Sequence, residues 1–201
     1  MEEERKKAIR SVSFDTSFLL KDSPDIDKVI KQLKRYRIPC YVTSTVLSEL
    51  EQLRVWGRID ERTYGRAMSR WRRVRGTVID FRNRLISSEI GRQCMASMEE
   101  HHGVKQKDIA NDCSIIVTSL KNGIDLFLSE DFHFTSRITE DVLDEITNNA
   151  CIEYKQMCGE DMHAIDSKTF LQAYMGGELD LKIVASARRD VKKPGKRIGR
   201  F

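Results

Sequence analysis

This sequence predicts an α/β fold with a central parallel sheet covered by helices on both faces, and three observations lead there. Short apolar runs suited to buried strands alternate with longer amphipathic stretches suited to helices, and that alternation implies a parallel sheet. Acidic residues stand at the ends of several of these runs, where the carboxyl edge of an open α/β sheet forms its ligand crevice. The 201 residues, 40% of them hydrophobic, suffice for one full core but not two, so one domain with an insertion or a tail is expected.

Taken in order, residues 11–15 form the first strand, and Thr16-Ser17 make a turn able to cap a helix. Residues 25–37 carry Ile26, Val29, Ile30 and Leu33 in a helical stripe that Ile38-Pro39 breaks. Cys40-Tyr41-Val42-Thr43 is the second strand. Ser44 or Thr45 then caps a helix with Val46, Leu47, Leu50 and Leu53 on one face and Glu49 in its first turn or two. From Gly57 to about His102 strand alternation is absent and charge is dense, which predicts helices with Gly76 and Gly91 as breaks. Residues 108–121 read as a helix ended by Gly123 in the manner of a C′ residue. Residues 124–129 are the third strand, 138–149 a helix, and Cys151-Ile152-Glu153-Tyr154 the fourth strand. A short helix over 167–175 precedes Gly176-Gly177, and beyond Leu181 a loose basic tail is expected. The expected division is a domain over 1–155 with a helical arm at about 54–105, a helical extension over 156–181, and a flexible tail over 182–201.

Composition excludes several classes. No stretch approaches the roughly 20 apolar residues of a membrane span, and no apolar segment follows the charged N-terminus, so a soluble, cytoplasmic protein is expected. Neither a Gly-x-Gly-x-x-Gly nor a Gly-Lys-Ser/Thr loop occurs, which leaves nothing to cradle a nucleotide phosphate in the usual way. The five cysteines include no Cys-x-x-Cys, and the spacing of seven between Cys151 and Cys158 matches no zinc signature; reduced thiols packed as small hydrophobes are expected.

The net charge of +4 conceals two basic segments. Residues 182–201 hold eight basic residues and one acid, with Lys192, Lys193, Lys196 and Arg197 around Pro194-Gly195. Residues 54–84 hold ten arginines against Asp60, Glu61 and Asp80. Within this segment Arg54, Arg58, Arg62 and Arg66 recur at every fourth position, and Arg70 and Arg73 continue the stripe. Arginine suits planar contacts to phosphate, so both segments are candidate RNA contacts, with a solvated helix face or an acidic protein partner as the other readings of the stripe. Trp56 and Trp71 either stack on bases or belong to the helix core.

Four acids, Asp15, Glu49, Asp112 and Asp131, lie far apart in the chain at the ends of apolar runs or near the starts of helices. Each alone has a plain explanation as a cap or a solvated helix residue. Converging on one crevice, each close pair would repel by about 4 kcal/mol at an effective dielectric near 20. Mg²⁺ or Mn²⁺, which prefer oxygen ligands, would relieve that repulsion, and together the four point to a metal-dependent nuclease.

The surroundings of these acids resemble a known family. Phe14-Asp15-Thr16-Ser17-Phe18-Leu19-Leu20 is similar to the opening Asp-Thr/Ser-x-x-Leu of PIN-domain nucleases, and Val46-Leu47-Ser48-Glu49-Leu50 to their second motif. The run from Asp112 through Cys113-Ser114-Ile115-Ile116-Val117 resembles the third motif, and Leu128-Ser129-Glu130-Asp131-Phe132 the fourth. All four occur in the family's order. The resemblance implies a three-layer α/β/α fold and Mg²⁺- or Mn²⁺-dependent cleavage of single-stranded or loop RNA, in toxin–antitoxin control or RNA processing. It implies that Asp15, Glu49, Asp112 and Asp131 bind the metal. Thr16, Ser17 and Ser129 would orient a water or a phosphate oxygen. Asp108, four residues before Asp112, is either a fifth ligand or a helix cap. An antitoxin or other protein partner and a homodimer are compatible with this family. A PIN-like RNA-binding or assembly module without activity is the alternative, although none of the four acids is replaced. The long stretch between Glu49 and Asp108 and the region beyond Cys151 both depart from the compact pattern.

Overall fold

A computed structural model describes residues 6–188. The chain opens with β1 (Lys6–Ala8) and β2 (Val12–Phe14), and α1 (Thr16–Leu20) and α2 (Pro24–Arg35) lead to β3 (Cys40–Thr43). Next, α3 (Ser44–Val55) and α4 (Glu61–Arg73) lead to β4 (Thr77–Ile79). A pair of helices, α5 (Arg84–His102) and α6 (Gln106–Lys121), returns the chain to β5 (Leu126–Leu128). Then α7 (Phe132–Thr135) and α8 (Arg137–Tyr154) lead to β6 (His163–Ile165). The described chain closes with α9 (Ser167–Ala173), β7 (Tyr174–Met175), β8 (Glu178–Asp180) and α10 (Leu181–Ala187).

Five of the strands form a parallel sheet in the order β4-β3-β2-β5-β6. From β2 the connections step outward to β3 and β4. The α5–α6 pair then carries the chain back to the other side of β2, where Val12, Ser13 and Phe14 pair with Leu126, Phe127 and Leu128. The order therefore reverses between β2 and β5, and the crevice beyond the carboxyl ends of these strands is where open α/β sheets bind ligands. Every residue of β2 and β5 is buried, because helices flank the sheet and neither face meets water. One helical group packs α1, α2, α4 and α9 together, and another packs α5 with α6 and α8. Among the described residues no helix is long and apolar enough to cross a membrane.

Local chemistry sets most boundaries. Ser23 caps α2 and Pro24 follows at its first position. Thr43, the last residue of β3, caps α3 by accepting the Val46 N–H at 3.2 Å, one residue before the expected Ser44. Gly123 (φ +64°) follows the end of α6 in the left-handed conformation expected of it.

Elsewhere the structure departs from expectation. Thr77-Val78-Ile79 is a strand, β4, on an edge of the sheet, so residues 54–105 are not wholly helical. Cys151–Tyr154 is not a strand; it is the last turn of α8, whose buried Val142, Leu143, Ile146 and Ala150 keep helical spacing up to that point. The outer strand beyond β5 is instead β6, and the stretch expected as a helical extension holds α9 and three strands. Gly176 (φ +67°) and Gly177 (φ +100°) form the two-residue turn between β7 and β8, where two successive positive φ values call for glycine. Strand β8 also pairs with β1, which ties the beginning of the described chain to its end. The tail expected from residue 182 begins as helix: Asp180 accepts the Lys182 N–H at 3.0 Å and the Ile183 N–H at 3.3 Å, and Val184 is buried. Lys192, Lys193, Lys196 and Arg197 lie outside the described residues.

The cysteines also depart from expectation. Helix packing brings Cys94 of α5 and Cys113 of α6 to a Cα separation of 5.7 Å, and Cys151 and Cys158 to 4.8 Å; both pairs form disulfides. Cys40 remains a free, buried thiol.

Candidate active site at the carboxyl end of the sheet

Asp15 follows the last residue of β2 and is almost fully buried. Its backbone N–H continues the sheet by donating to the Leu128 carbonyl at 2.9 Å. Its Oδ2 accepts hydrogen bonds from the Ser17 N–H at 3.2 Å, from the Ser17 hydroxyl, and from the Ser129 hydroxyl at 2.9 Å. Asp15 is thereby the N-cap of α1, so its capping reading and its site reading hold at once. Ser129 follows the last residue of β5 and also accepts the Asp131 N–H at 3.0 Å, while Ser17 accepts the Glu130 N–H at 2.9 Å. Asp131 in turn caps α7, accepting the His133 N–H at 2.8 Å. The two hydroxyls thus lock the loop after β5 onto the carboxylate at the end of β2.

Thr16 donates its hydroxyl to Glu49 of α3. Thr16, Ser17 and Ser129, expected to orient water or phosphate, here orient carboxylates. Asp112 lies one and a half turns into α6 and is half-buried. Burial, then the charges of Asp15, Glu49 and Asp131, push its carboxyl from the ordinary 3.8 up to about 7. Burial also raises Asp15, against its hydrogen bonds to Ser17 and Ser129 and the Thr16 backbone, and the Glu49 charge adds to the rise. The fold therefore brings all four expected acids within electrostatic reach of one another.

Asp108 is not the cap of α6: it is exposed in the first turn of that helix, whose N-cap position is Lys105 with no side-chain capping bond, and its charge is not among those that raise Asp112.

The basic stripe breaks up. Helix α3 ends at Val55 and α4 begins after its cap Asp60, so the fourfold spacing of arginines runs through a loop. Arg54 pairs with Glu51 and Glu61, Arg66 with Asp22 at 2.8 Å, and Arg73 with Asp27 at 3.4 Å. Arg70 is 1% exposed and donates to the carbonyls of Leu19 at 2.9 Å and Lys21 at 2.6 Å, so it braces the end of α1 and is closed to RNA. Its place three residues after Ala67 and four before Val74, on the inward face of α4, was the sequence signal for burial. Arg58 and Arg62 are exposed and remain available. Trp71 packs against the core with its indole over Gly76, where a Cβ would meet Nε1 at 2.1 Å. Trp56 is 67% exposed and is not a core residue.

A feature that motif reading passed over is a pair of imidazoles beside Asp131. His102, near the end of α5, meets His133 of α7 edge to face at 5.5 Å. Burial, then His133 and His101, lower the His102 pKa, and the Asp131 charge opposes them.

The donors of the acid group are all carboxylate oxygens, the type that hard divalent cations prefer, and a cation would relieve the repulsion that adds to burial in raising Asp112. Among the described residues no three His, Cys, Asp or Glu side chains stand close enough to form a metal-ligand set as they are placed. In charge and donor chemistry the group fits Mg²⁺ or Mn²⁺; in side-chain spacing it would have to close. Comparison with protein-family models, with curated proteins and with solved structures finds no match to this chain.

Proposed function

We propose that this chain is a PIN-type, Mg²⁺- or Mn²⁺-dependent ribonuclease acting on single-stranded or loop RNA. One observation carries the reading: carboxylates from four separate segments gather at the switch point of a parallel sheet, where burial first and then the charges of Asp15, Glu49 and Asp131 push Asp112 up to about 7. Burying carboxylates within one another's electrostatic influence costs stability, and a divalent cation would offset that cost.

In this reading Asp15, Glu49, Asp112 and Asp131 would hold the metal, which when bound supplies Lewis acidity toward a phosphodiester and a water acidic enough to attack it. Ser17 and Ser129 fix the Asp15 carboxylate from two elements, and Thr16 fixes Glu49. These hydroxyls restrict the acids to one orientation, which matters where a displacement of about 1 Å silences a site. The exposed Arg58 and Arg62 provide cationic surface for the phosphodiester chain.

The test is cleavage of labelled single-stranded and structured RNAs in Mn²⁺, Mg²⁺ or EDTA, with Asp15→Asn and Asp112→Asn variants alongside. Expected are cuts that require the cation and fall by roughly a hundredfold or more in either variant, as when a metal-dependent step loses a ligand. Mn²⁺ should also raise the melting temperature of the wild type and not of Asp112→Asn. RNA binding without cation-dependent cutting, and no thermal shift, would instead make the chain a binding module.

A further inference from the structure

Beside the acid group, α3, the loop after β4, α5 and α6 enclose a cleft of about 460 Å³, lined by Ser44, Thr45, Asp80, Phe81, Arg82, Arg84, Ser87, Ser114 and Thr118. We infer that this cleft seats one nucleotide of the RNA next to the cut, with its phosphate on Arg82 and Arg84 and its base between Phe81 and Asp80. The inference rests on the ribonuclease reading and adds to it a subsite and a base preference.

Position connects the cleft to the acids. Thr45 lies one helical turn before Glu49 on α3, Ser114 lies two residues after Asp112 on α6, and their hydroxyls meet at 3.2 Å. The volume falls within the range of about 300–1,000 Å³ typical of small-ligand sites. Charge gives the ligand class. Arg82 and Arg84 are exposed, and among the described residues neither guanidinium has a hydrogen-bond or ion-pair partner, unlike Arg54, Arg66, Arg70 and Arg73. Two free guanidinium groups suit a phosphodiester.

The remaining lining separates a nucleotide from a bare phosphate. Asp80 faces the same cleft and would repel an isolated anion, yet one of its oxygens only accepts the Ser44 hydroxyl. A nucleotide uses both signs of charge: its phosphate meets the arginines, and an amino-bearing base offers a donor to the carboxylate. Adenine, cytosine and guanine carry exocyclic amines for that role, whereas uracil offers only a ring N3–H flanked by two carbonyl oxygens that a carboxylate repels, so an amino-bearing base is favoured over uracil. Phe81 is half-buried, and a ring fixed in this way serves as a stacking face at little entropic cost.

Binding decides it, measured in EDTA so that no cleavage intervenes, with fluorescent oligo(C) and oligo(U) of about ten nucleotides as probes. The Arg82→Ala/Arg84→Ala variant should bind oligo(C) about tenfold more weakly, with a salt dependence shallower by one to two phosphate contacts. Wild type should prefer oligo(C) by about fivefold or more, and Asp80→Ala should close that gap. A Lys31→Ala/Lys168→Ala variant, which removes the same charge from α2 and α9, should bind as wild type does. Unchanged binding by the arginine variant, or an equal loss in the lysine control, would overturn the cleft assignment. Displacement of oligo(C) by inorganic phosphate alone would equally overturn it. Cleavage by wild type in Mn²⁺, run in parallel, separates the two failures: cutting without the expected binding loss sinks the cleft alone, whereas neither cutting nor binding sinks the ribonuclease reading too.

Discussion

At one end of α1 Asp15 is buried among other carboxylates; at the other end Arg70 is buried against the carbonyls of Leu19 and Lys21. The helix between them is five residues long, so one short element holds two buried charges in opposite ways. Arg70 gives its Nη1 to two backbone oxygens that its removal would strand and sets its Nη2 3.5 Å from Asp27. Asp15 is satisfied by two hydroxyls and a backbone N–H, yet burial first, and then neighbouring carboxylates, raise its carboxyl and that of Asp112. A charge buried with its complement stabilises the fold. A charge buried with its like costs stability, and chains keep such arrangements where chemistry uses them.

The comparison breaks most easily at Arg70. Arg70→Met keeps the volume but leaves two buried carbonyls without donors, and should cost about 3 kcal/mol or more in urea unfolding. Arg70→Lys should recover less than half, since Nη1 serves both carbonyls while Nη2 stands 3.5 Å from Asp27, and one ammonium does not reproduce all three contacts. If Arg70→Met unfolds at the wild-type midpoint, the brace at the end of α1 has no energetic weight.

Asp112→Asn should do the reverse. Below about pH 4 folded and unfolded chains both carry a protonated Asp112, and the residue contributes nothing. Between the ordinary 3.8 and the folded value of about 7 only the folded chain keeps the proton, so stability falls as pH rises through this window. Above it the full cost is present, on the order of 2–4 kcal/mol. In EDTA the variant should therefore be more stable than wild type at pH 8 and equal to it at pH 4. A variant no more stable at pH 8 would mean that burial and the neighbouring acids do not raise the Asp112 carboxyl.

The difference between these two charges also marks what was legible in the sequence. Asp15 and Asp131 could be read because each stands at an element boundary, where a short apolar run and a helix start fix its position: Asp15 after Val12-Ser13-Phe14, Asp131 after Leu126-Phe127-Leu128. The strands β2, β3 and β5 were legible for the same reason. One-dimensional spacing aligns Arg70 with Arg58, Arg62 and Arg66, but a four-residue step drifts around a helix of 3.6 residues per turn, so the stripe passes along α4 from exposed Arg62 through half-buried Arg66 to buried Arg70. Strand β4 was hidden because three β-branched residues on an exposed edge leave no alternation to see, and β6 because three buried residues are too few to show a period. The Cys151–Tyr154 stretch has strand-like composition, but packing of the preceding helix carries through it. The two disulfides depend on how helices pack, which spacing along the chain does not encode.

Asp108 gives the smallest and sharpest test of where the acid group ends. It shares a face of α6 with Asp112, one turn away, and helical spacing alone would make it a fifth member. The structure leaves it exposed, outside the set of charges that raise Asp112. Asp108→Asn should then change stability by less than about 0.5 kcal/mol at any pH, as surface substitutions do, and should leave cleavage within about threefold of wild type. A loss of cation-dependent cutting comparable to Asp112→Asn would extend the group one turn along α6. It would also mean that the acids rearrange toward the N-terminal end of that helix when a cation binds, closing the spacing that now falls short of a ligand set.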